Sequence, residues 1–240
     1  MSVMEITAMT FLSEDIDINS MDGPLGQRVY TILRKRILDL SLPPGAVLRK
    51  GALCEQLGVS RSPVADALSR LSVDGLVDII PQSATHVSRF SMSALKEESF
   101  LRDAVEVAAV ATVAENRTDA QLVQLSRNLR LQSLLVEDVD FEGFFEADLQ
   151  FHDMILSFTG FRKVAAVAGQ MSLQLQRARI LALPEPGRPA RTVAEHQKIL
   201  AAIEALDAEA AKTAMADHLR QLISRIAPLE KQYPDYFRPN

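Results

Sequence analysis

The chain has 240 residues, 48% hydrophobic and 24% charged, a balance typical of a soluble globular protein with room for two domains. Its single cysteine, Cys54, excludes an intramolecular disulfide framework and fits a reducing compartment. No apolar run approaches the roughly 20 residues that a membrane span needs, and the N-terminus has no signal-peptide pattern. We therefore expect a soluble, cytoplasmic protein.

The formal net charge of −5 is unevenly distributed along the chain. Residues 1–23 contain five acidic residues and no basic one, and their weak periodicity predicts a flexible acidic tail. Residues 24–90 contain nine basic residues against five acidic ones, so contacts with phosphates are expected in this region. Residues 91–240 are again acidic on balance.

Residues 24–90 have the pattern of a small winged helix-turn-helix domain. The prolines of SLPPG end the first helix, and Pro63 lies in the first turn of the last one, where its missing N–H does no harm. The predicted elements are an amphipathic helix from Gln27, a helix over 50–57, a turn at Gly58, a helix from Ser60–Ser62 to Asp74, and two short strands, LVDII and THVSRF, around a polar tip.

In a helix-turn-helix, the N-terminal residues of the second helix face base edges in the major groove. Arg61 is best placed to reach a guanine edge, and the wing around Gln82–His86 is expected near the minor groove or the backbone, with His86 an exposed wing residue. A solvated face on a small helical domain is the alternative, because this apolar spacing is generic. The residues predicted to contact bases or phosphates are Arg49, Lys50, Ser60, Arg61, Ser62 and Arg70.

Three motifs in this region match a known family: Pro-Gly-x-x-Leu at 44–48, Leu-Gly-Val-Ser-Arg-Ser-Pro-Val at 57–64 and Gly-Leu-Val at 75–77. With them, residues 24–90 resemble the N-terminal DNA-binding domain of the GntR family of bacterial transcription regulators. Two positions depart from the family pattern. Ala65-Asp66 stand where Arg-Glu is usual, which removes one expected DNA-contacting arginine, and Ala84 stands where a wing glycine is usual.

Residues 91–240 have a helical pattern throughout, so the predicted fold class is mainly α, with an all-helical bundle after the winged helix. Thr118 and Asp140 are predicted helix caps, and LPEPGRP at 183–189 is the clearest break. The predicted helices cover about 93–115, 118–136, 140–159, 162–181, 189–206 and 208–227.

Three of the four histidines lie in this bundle. Asp148 and His152 are four residues apart and share one face of a helix, so both can point at one centre. His196 and His218, from two later helices, would complete a set of three imidazoles and one carboxylate, which suits zinc or another first-row divalent ion such as nickel or manganese.

The second half resembles the FCD-type effector domain of the FadR subfamily, through the stretches at 101–114, 147–156, 191–211 and 214–219. The resemblance implies that Asp148, His152, His196 and His218 hold a metal ion with a small organic acid nearby. Arg102 matches a family arginine that often faces the cavity and would bind the acid bidentately. The alternative for Arg102 is an exposed side chain paired with Glu98 or Glu106. Arg177 and Arg179 are weaker candidates, and Leu206 replaces a glycine common at this helix junction.

These features predict a DNA-binding transcriptional regulator, a repressor by the commoner role in the family. It would bind a palindromic operator as a homodimer and change its operator affinity when a small carboxylate binds near the metal. Three alternatives stay open. The first is a regulator whose effector is the metal itself, and the second is a metal-dependent hydrolase with Glu195 as general base. The third is a fatty-acyl-CoA sensor like the subfamily's namesake, but the namesake lacks the metal ligands, whereas this chain has all four.

Overall fold

The computed structural model describes residues 18–81, 84–171, 173–182 and 187–239. By its contacts the chain divides into two compact units, Met1–Ser91 with Glu230–Asn240 and Met92–Leu229. Helices are the main secondary structure of both, so the predicted class, mainly α with a winged helix before a helical bundle, is confirmed. In the part of the chain that is described, no helix combines the length and apolarity needed to cross a bilayer.

In the described residues up to Ser91, the N-terminal unit has three α-helices and a three-stranded antiparallel sheet. The sheet order is β1-β3-β2, with β2 and β3 forming the predicted wing hairpin and β1 an additional strand that the sequence did not predict. The elements are α1 (Leu25–Leu38), β1 (Val47–Leu48), α2 (Lys50–Leu57), α3 (Arg61–Val73), β2 (Val77–Ile79) and β3 (Thr85–Val87).

The helix-turn-helix forms for local reasons. Gly58 follows α2 with a φ of 63°, a left-handed conformation that glycine adopts without the steric cost of a Cβ atom. The next helix then buries Val64, Leu68 and Leu71 completely against the rest of the unit. Because these apolar positions lie on one face of α3, its opposite face stays exposed to solvent.

Two expectations about the ends of the chain need correction. Ile18–Ser20 form a 3₁₀ turn in which Ile18 is buried, and Arg28 Nε donates to Gly23 O at 2.7 Å, so this part of the predicted flexible tail is folded. Residues 1–17 of that tail lie outside the described part. At the other end, Glu230–Asn240 belong by their contacts to the N-terminal unit and not to the 91–240 domain that was expected.

The described residues of the C-terminal unit form α-helices and the turns between them. Thr118 forms a capping box with Gln121, and Asp140 accepts from the Gly143 amide, as predicted. The helix predicted over 162–181 is observed as α7 and α8, two helical ranges on either side of Ser172, which lies outside the described residues. The last helix runs five residues further than expected, through Pro228. The elements are α4 (Met92–Asn116), α5 (Asp119–Glu137), α6 (Phe141–Phe158), α7 (Arg162–Met171), α8 (Leu173–Ala182), α9 (Arg188–Glu204) and α10 (Ala208–Gln232).

The apolar core of this unit surrounds one face of α6. Phe151 and Ile155 are completely buried among side chains of α4, α9 and α10, which include Val110, Ile199 and Met215. Dense packing of this kind fixes side chains in single rotamers. The same helix carries Asp148 and His152, so the core that holds α6 also fixes the position of these two polar groups.

Candidate metal centre

Three histidines from three helices converge inside the C-terminal unit. His152 lies on α6, His196 on α9 and His218 on α10, and all three are buried. Nε2 of His218 lies 3.3 Å from Nε2 of His152 and 3.4 Å from Nε2 of His196. The structure therefore brings together the three histidines that the sequence singled out.

Each imidazole is held through its other ring nitrogen by a polar side chain from elsewhere in the unit. These partners come from α4, α5 and α9, and each places one oxygen at Nδ1. The pairs are His152 with Glu106 Oε2 at 2.5 Å, His196 with Gln132 Oε1 at 2.9 Å, and His218 with Glu195 Oε2 at 2.7 Å.

These contacts fix the tautomers. An ionised carboxylate only accepts hydrogen bonds, so Nδ1 of His152 and of His218 donates. Gln132 donates its amide nitrogen to Asn128 Oδ1 at 2.7 Å, which leaves its oxygen to accept from His196. In a neutral ring whose Nδ1 carries the proton, Nε2 carries a lone pair. Three lone pairs therefore face the same small volume.

A further layer of arginines supports the two carboxylates. Arg102 Nε donates to Glu106 Oε1 at 2.6 Å, and Arg188 donates to both oxygens of Glu195 at 3.0 and 2.9 Å. Burial opposes ionisation of Glu106, but Arg102 and His152 hold its pKa below the usual carboxyl range. Burial likewise opposes ionisation of Glu195, whose hydrogen bonds from His218 and Arg188 lower its pKa to about 2.

Asp148 lies beside the histidines with its two oxygens in different surroundings. Oδ2 accepts from Arg179 Nη2. Oδ1 is buried, has no hydrogen-bond partner within the described ranges, and lies 3.8 Å from His196 Nε2. Burial opposes its ionisation, but the facing Arg179 guanidinium keeps the pKa of Asp148 well below the usual value. A buried, ionised oxygen without a donor is costly and calls for a partner.

His196 and His218 are uncharged at neutral pH. Burial lowers the pKa of His196 well below its usual value, and the neighbouring His218 lowers it further. Burial also lowers the pKa of His218 to about 4, although the hydrogen bond with Glu195 opposes that shift. Neutral imidazoles and an ionised carboxylate are the protonation states that bind divalent metal ions.

A cavity of about 50 Å³ adjoins the cluster and includes Asp148 and His218 in its wall. Apolar side chains, among them Phe144 and Leu222, form part of the lining. Four of the described lining residues are arginines: Arg102, Arg179, Arg188 and Arg225. A small space lined by several guanidinium groups favours a small anion.

Arg102, the predicted effector contact, lines the cavity and also has the Glu106 pairing of the alternative, but not the exposure that the alternative expected. It pairs with Glu106 four residues along α4, yet its side chain is only 9% exposed and lines the cavity. Of the two weaker candidates, Arg179 lines the cavity, whereas Arg177 is buried and donates to Gln174 Oε1 at 2.7 Å. Arg188 and Arg225, which also line the cavity, were not predicted from the sequence.

The predicted DNA-contacting residues lie on the exposed surface of the helix-turn-helix. Ser60 precedes α3, and Arg61 and Ser62 begin it, all three exposed. Arg49 and Lys50 lie exposed at the start of α2. Their roles as base or phosphate contacts stay a prediction.

Two other residues of this unit differ from expectation. Arg70, near the end of α3, stacks on the ring of Tyr30, with its Cζ 4.2 Å from the ring centroid, so it has an intramolecular role besides the predicted phosphate contact. His86 is half-buried on β3, with Nδ1 3.4 Å from Gly45 O, and not an exposed wing residue. Gln82 and Ser83, at the tip of the wing, lie outside the described residues.

A winged helix-turn-helix joined to a helical unit with a buried polar centre defines a DNA-binding regulator with a sensory domain. Comparison with known families agrees. Residues 25–87 match the family model described as bacterial regulatory proteins, gntR family, and residues 99–221 match the FCD domain. The chain belongs to the GntR family of transcription regulators and carries an FCD domain; its relatives are regulators and not enzymes.

Relatives with curated names match most of the chain. The HTH-type transcriptional repressor RspR of Escherichia coli is 28% identical over 89% of this chain and 94% of its own length. A regulator in an unstable DNA locus of Streptomyces ambofaciens is 34% identical over 87% of this chain and 88% of its own length. The solved structure of E. coli McbR/YncC has a TM-score of 0.73, 27% identity, and covers 88% of this chain and 100% of its own.

Proposed function

We propose that this transcription regulator senses a small organic acid, which binds beside a divalent metal ion held by Asp148, His152, His196 and His218. The observation that carries the proposal is the convergence of three Nε2 lone pairs, each fixed by a partner at Nδ1. They lie next to the Oδ1 atom of Asp148, which has no hydrogen-bond partner among the described residues. The physiological role would be repression, as in the relative named RspR.

The spacing of the ligand atoms suits a metal ion. Two imidazole nitrogens bound tetrahedrally to zinc at about 2.0–2.1 Å lie about 3.3–3.4 Å apart. Nε2 of His218 lies at these distances from the other two histidines, 3.3 and 3.4 Å. Without a proton or a cation between them the three lone pairs repel one another. A cation among them removes this repulsion and supplies Asp148 Oδ1 with a partner, so zinc is the first candidate and nickel or manganese the alternatives.

The fixed Nδ1 contacts also fit a metal centre. Metal-binding histidines commonly donate their second ring N–H to a carboxylate or carbonyl oxygen, which holds the ring orientation and makes the ligand more basic. Glu106, Gln132 and Glu195 supply these acceptors. A metal bound here would act as a Lewis acid toward an anion in the cavity.

The cavity would supply the organic acid with cationic partners. Glu106 engages only Nε of Arg102, and Asp148 engages one Nη group of Arg179, so further N–H groups of both guanidiniums can bind a carboxylate. Burial lowers the pKa of Arg179, and the proximity of Arg102 lowers it further. An anion between the two arginines would relieve this repulsion.

We further propose that two chains associate and bind a palindromic operator. Symmetric dimers present two recognition helices about one DNA turn apart. The large apolar side chains of Val123, Leu131 and Leu134 are exposed on α5, and Phe100 is exposed on α4. Exposed apolar side chains grouped on one or two helices are typical of surfaces that bind a partner.

The experiment measures operator affinity by fluorescence anisotropy, with a DNA site selected from a random pool by the wild-type protein. Chelator-treated and zinc-loaded protein are each titrated with acetate, lactate, succinate and citrate. We expect at least one acid to change operator affinity by about tenfold, a coupling of about 1.4 kcal/mol, in zinc-loaded protein alone. Arg102→Gln should abolish this response, whereas Lys96→Gln, at an exposed position of α4, should retain it.

The other outcomes separate the alternatives. A change of operator affinity with zinc and no response to any acid would make the metal itself the effector. An acid response that is the same after complete removal of the metal would contradict the proposed site.

A further inference from the structure

The end of the chain forms a clasp on the DNA-binding unit. The C-terminal clasp consists of residues Tyr233–Arg238, which follow α10 and include the 3₁₀ turn Pro234–Tyr236. Although α10 is the last helix of the bundle, residues from Glu230 onward belong by their contacts to the N-terminal unit.

The backbone of the clasp pairs with the segment that leaves β3. Phe90 N–H donates to Tyr236 O at 2.9 Å, and Arg238 N–H donates to Phe90 O at 2.8 Å, forming a parallel bridge between Phe90 and Phe237. The two phenylalanine rings lie 5.3 Å apart, and each is at most 3% exposed. Burial of a phenylalanine side chain contributes about 1.5–3 kcal/mol, so this contact holds the clasp firmly.

Side chains extend the contact to the wing hairpin. Arg238 Nη2 donates to both oxygens of Asp78 on β2, at 3.0 and 3.1 Å. Ser88 Oγ, just after β3, donates to the same carboxylate at 3.1 Å. Arg89 Nε donates to Asp235 O at 2.9 Å. The clasp therefore contacts strand β2 and the segment that follows β3, at the base of the wing.

Helix α10 joins the clasp covalently to the metal centre. His218, Leu222 and Arg225 lie on α10, and all three line the cavity. The helix continues through Pro228 to Gln232, immediately before the clasp. One continuous helix thus carries a candidate metal ligand and, a few turns later, the segment that holds the base of the wing.

We propose that Phe237 and Arg238 are positioning residues for DNA binding, and that α10 makes their contacts with the wing depend on the metal. This inference rests on the proposed metal centre. Without the metal, the Nε2 lone pairs of the three histidines face one another with no cation between them, and their repulsion displaces His218, and α10 with it, relative to α6 and α9. The clasp moves with the end of α10, and its contacts with Phe90 and Asp78 strengthen or weaken. A conformational change of this kind requires only that the metal binds the two states with different affinity.

The test measures amide hydrogen exchange in the full chain, in zinc-loaded and in chelator-treated protein. The reporters are the Phe90 and Arg238 amides, which donate the two backbone hydrogen bonds of the clasp, and amides in the middle of α3 serve as internal controls. We expect a change of at least fivefold in exchange rate at both reporters and none at the controls. Bound zinc with unchanged exchange at both reporters would overturn this inference and leave the proposed metal centre intact. Absence of zinc binding would overturn both.

Two variants distinguish a positioning role from a purely structural one. Phe237→Ala should retain one equivalent of zinc but show fast exchange at Phe90 whether or not zinc is bound, and operator affinity reduced at least tenfold. Arg238→Ala removes only an exposed ion pair, so the unit stays folded, and it should reduce operator affinity less while weakening its dependence on zinc. Lys231→Ala, at an exposed position on the last turn of α10, is the control and should behave as wild type. Wild-type zinc dependence of operator affinity in both Phe237→Ala and Arg238→Ala would contradict the proposal.

Discussion

The geometry of the histidine cluster is determined by residues that are not themselves candidate metal ligands. Glu106, Gln132 and Glu195 fix the tautomer and orientation of the three rings, and Arg102 and Arg188 hold the two carboxylates in turn. This arrangement holds the three Nε2 atoms close to the positions that a metal ion needs. The entropic cost of ordering the ligand side chains is therefore met when the bundle folds, not when the metal binds.

Replacement of such a partner should weaken metal binding without removing a ligand. Glu106→Gln removes the charge that faces His152 and Arg102, and we expect zinc affinity to fall by about 10- to 100-fold. Competition with a fluorescent chelator measures the affinity. Glu146→Gln, at an exposed position of α6, is the control. Equal affinities of Glu106→Gln and wild type would show that the outer contact is dispensable.

Glu98 makes the stability of the bundle against unfolding depend on pH. It accepts from the Leu175 amide in the first turn of α8, and burial raises its pKa from 4.5 to about 7 despite that hydrogen bond. The folded state therefore binds more protons than the unfolded state between these values, and stability falls as pH rises from about 4.5 to about 7.

Glu98→Gln removes the ionisable group and keeps an oxygen for the Leu175 amide. By urea unfolding we expect the variant to match wild type near pH 5 and to be more stable near pH 8, by on the order of 1 kcal/mol after allowance for solvent screening. Glu97→Gln, at the exposed neighbouring position, should show no such difference. Lower stability of Glu98→Gln at pH 8 would reverse the sign of this assignment.

The four candidate ligands could be predicted from the sequence, whereas their partners could not. Asp148 and His152 are one helical turn apart on a strongly amphipathic helix, a spacing visible in a single sequence. Glu106 and Gln132 meet their histidines across 46 and 64 residues, respectively. Contacts at such separations depend on how helices pack, which no local pattern encodes.

At the scale of elements, two helix junctions carry strained residues. Leu206 between α9 and α10 and Val139 between α5 and α6 have φ values of 57° and 59°, the left-handed region that favours glycine. At the first junction the Asp207 amide donates to Ala202 O at 3.0 Å, and the Leu206 amide donates to Ile203 O at 3.2 Å, a Schellman-type helix end. The glycine that the family commonly has at position 206 therefore has a physical basis.

Leu206→Gly should stabilise the protein. The left-handed conformation costs a side-chain-bearing residue about 1–2 kcal/mol, and the side chain of Leu206 is 55% exposed, so little apolar burial is lost. We expect the free energy of unfolding to rise by up to about 1 kcal/mol in urea titrations, after the entropic cost of glycine in the unfolded chain. Ala201→Gly, exposed in the interior of α9, should instead destabilise by about 1 kcal/mol. A destabilised Leu206→Gly would contradict the assigned backbone conformation.

Element boundaries were predictable where capping residues mark them and not where they are absent. Thr118 and Asp140 act as caps at the predicted positions. The last helix was predicted to end at 227, but α10 continues through Pro228 to Gln232. Strand β1, only two residues long, is too short to give an alternating pattern.

For the whole molecule, the sequence predicted the two-domain order but not the return of the chain to its first unit. The clasp pairs Phe237 with Phe90, 147 positions earlier, through a single bridge and an aromatic contact. No sequence motif predicts such a pairing. Its consequence is that the two units are connected by the chain twice, at Ser91–Met92 and at Leu229–Glu230.

The central claim, that the histidine cluster holds a metal ion, is tested most directly by the metal content of the purified full-length protein. Elemental mass spectrometry would compare wild type, Asp148→Ala/His152→Ala and the control His86→Ala, which removes the one histidine outside the cluster. The proposed site predicts about one equivalent of zinc, nickel or manganese per chain in wild type and in His86→Ala, and loss of that metal in the double variant. Absence of metal from wild type after reconstitution, or equal metal in the double variant, would contradict it.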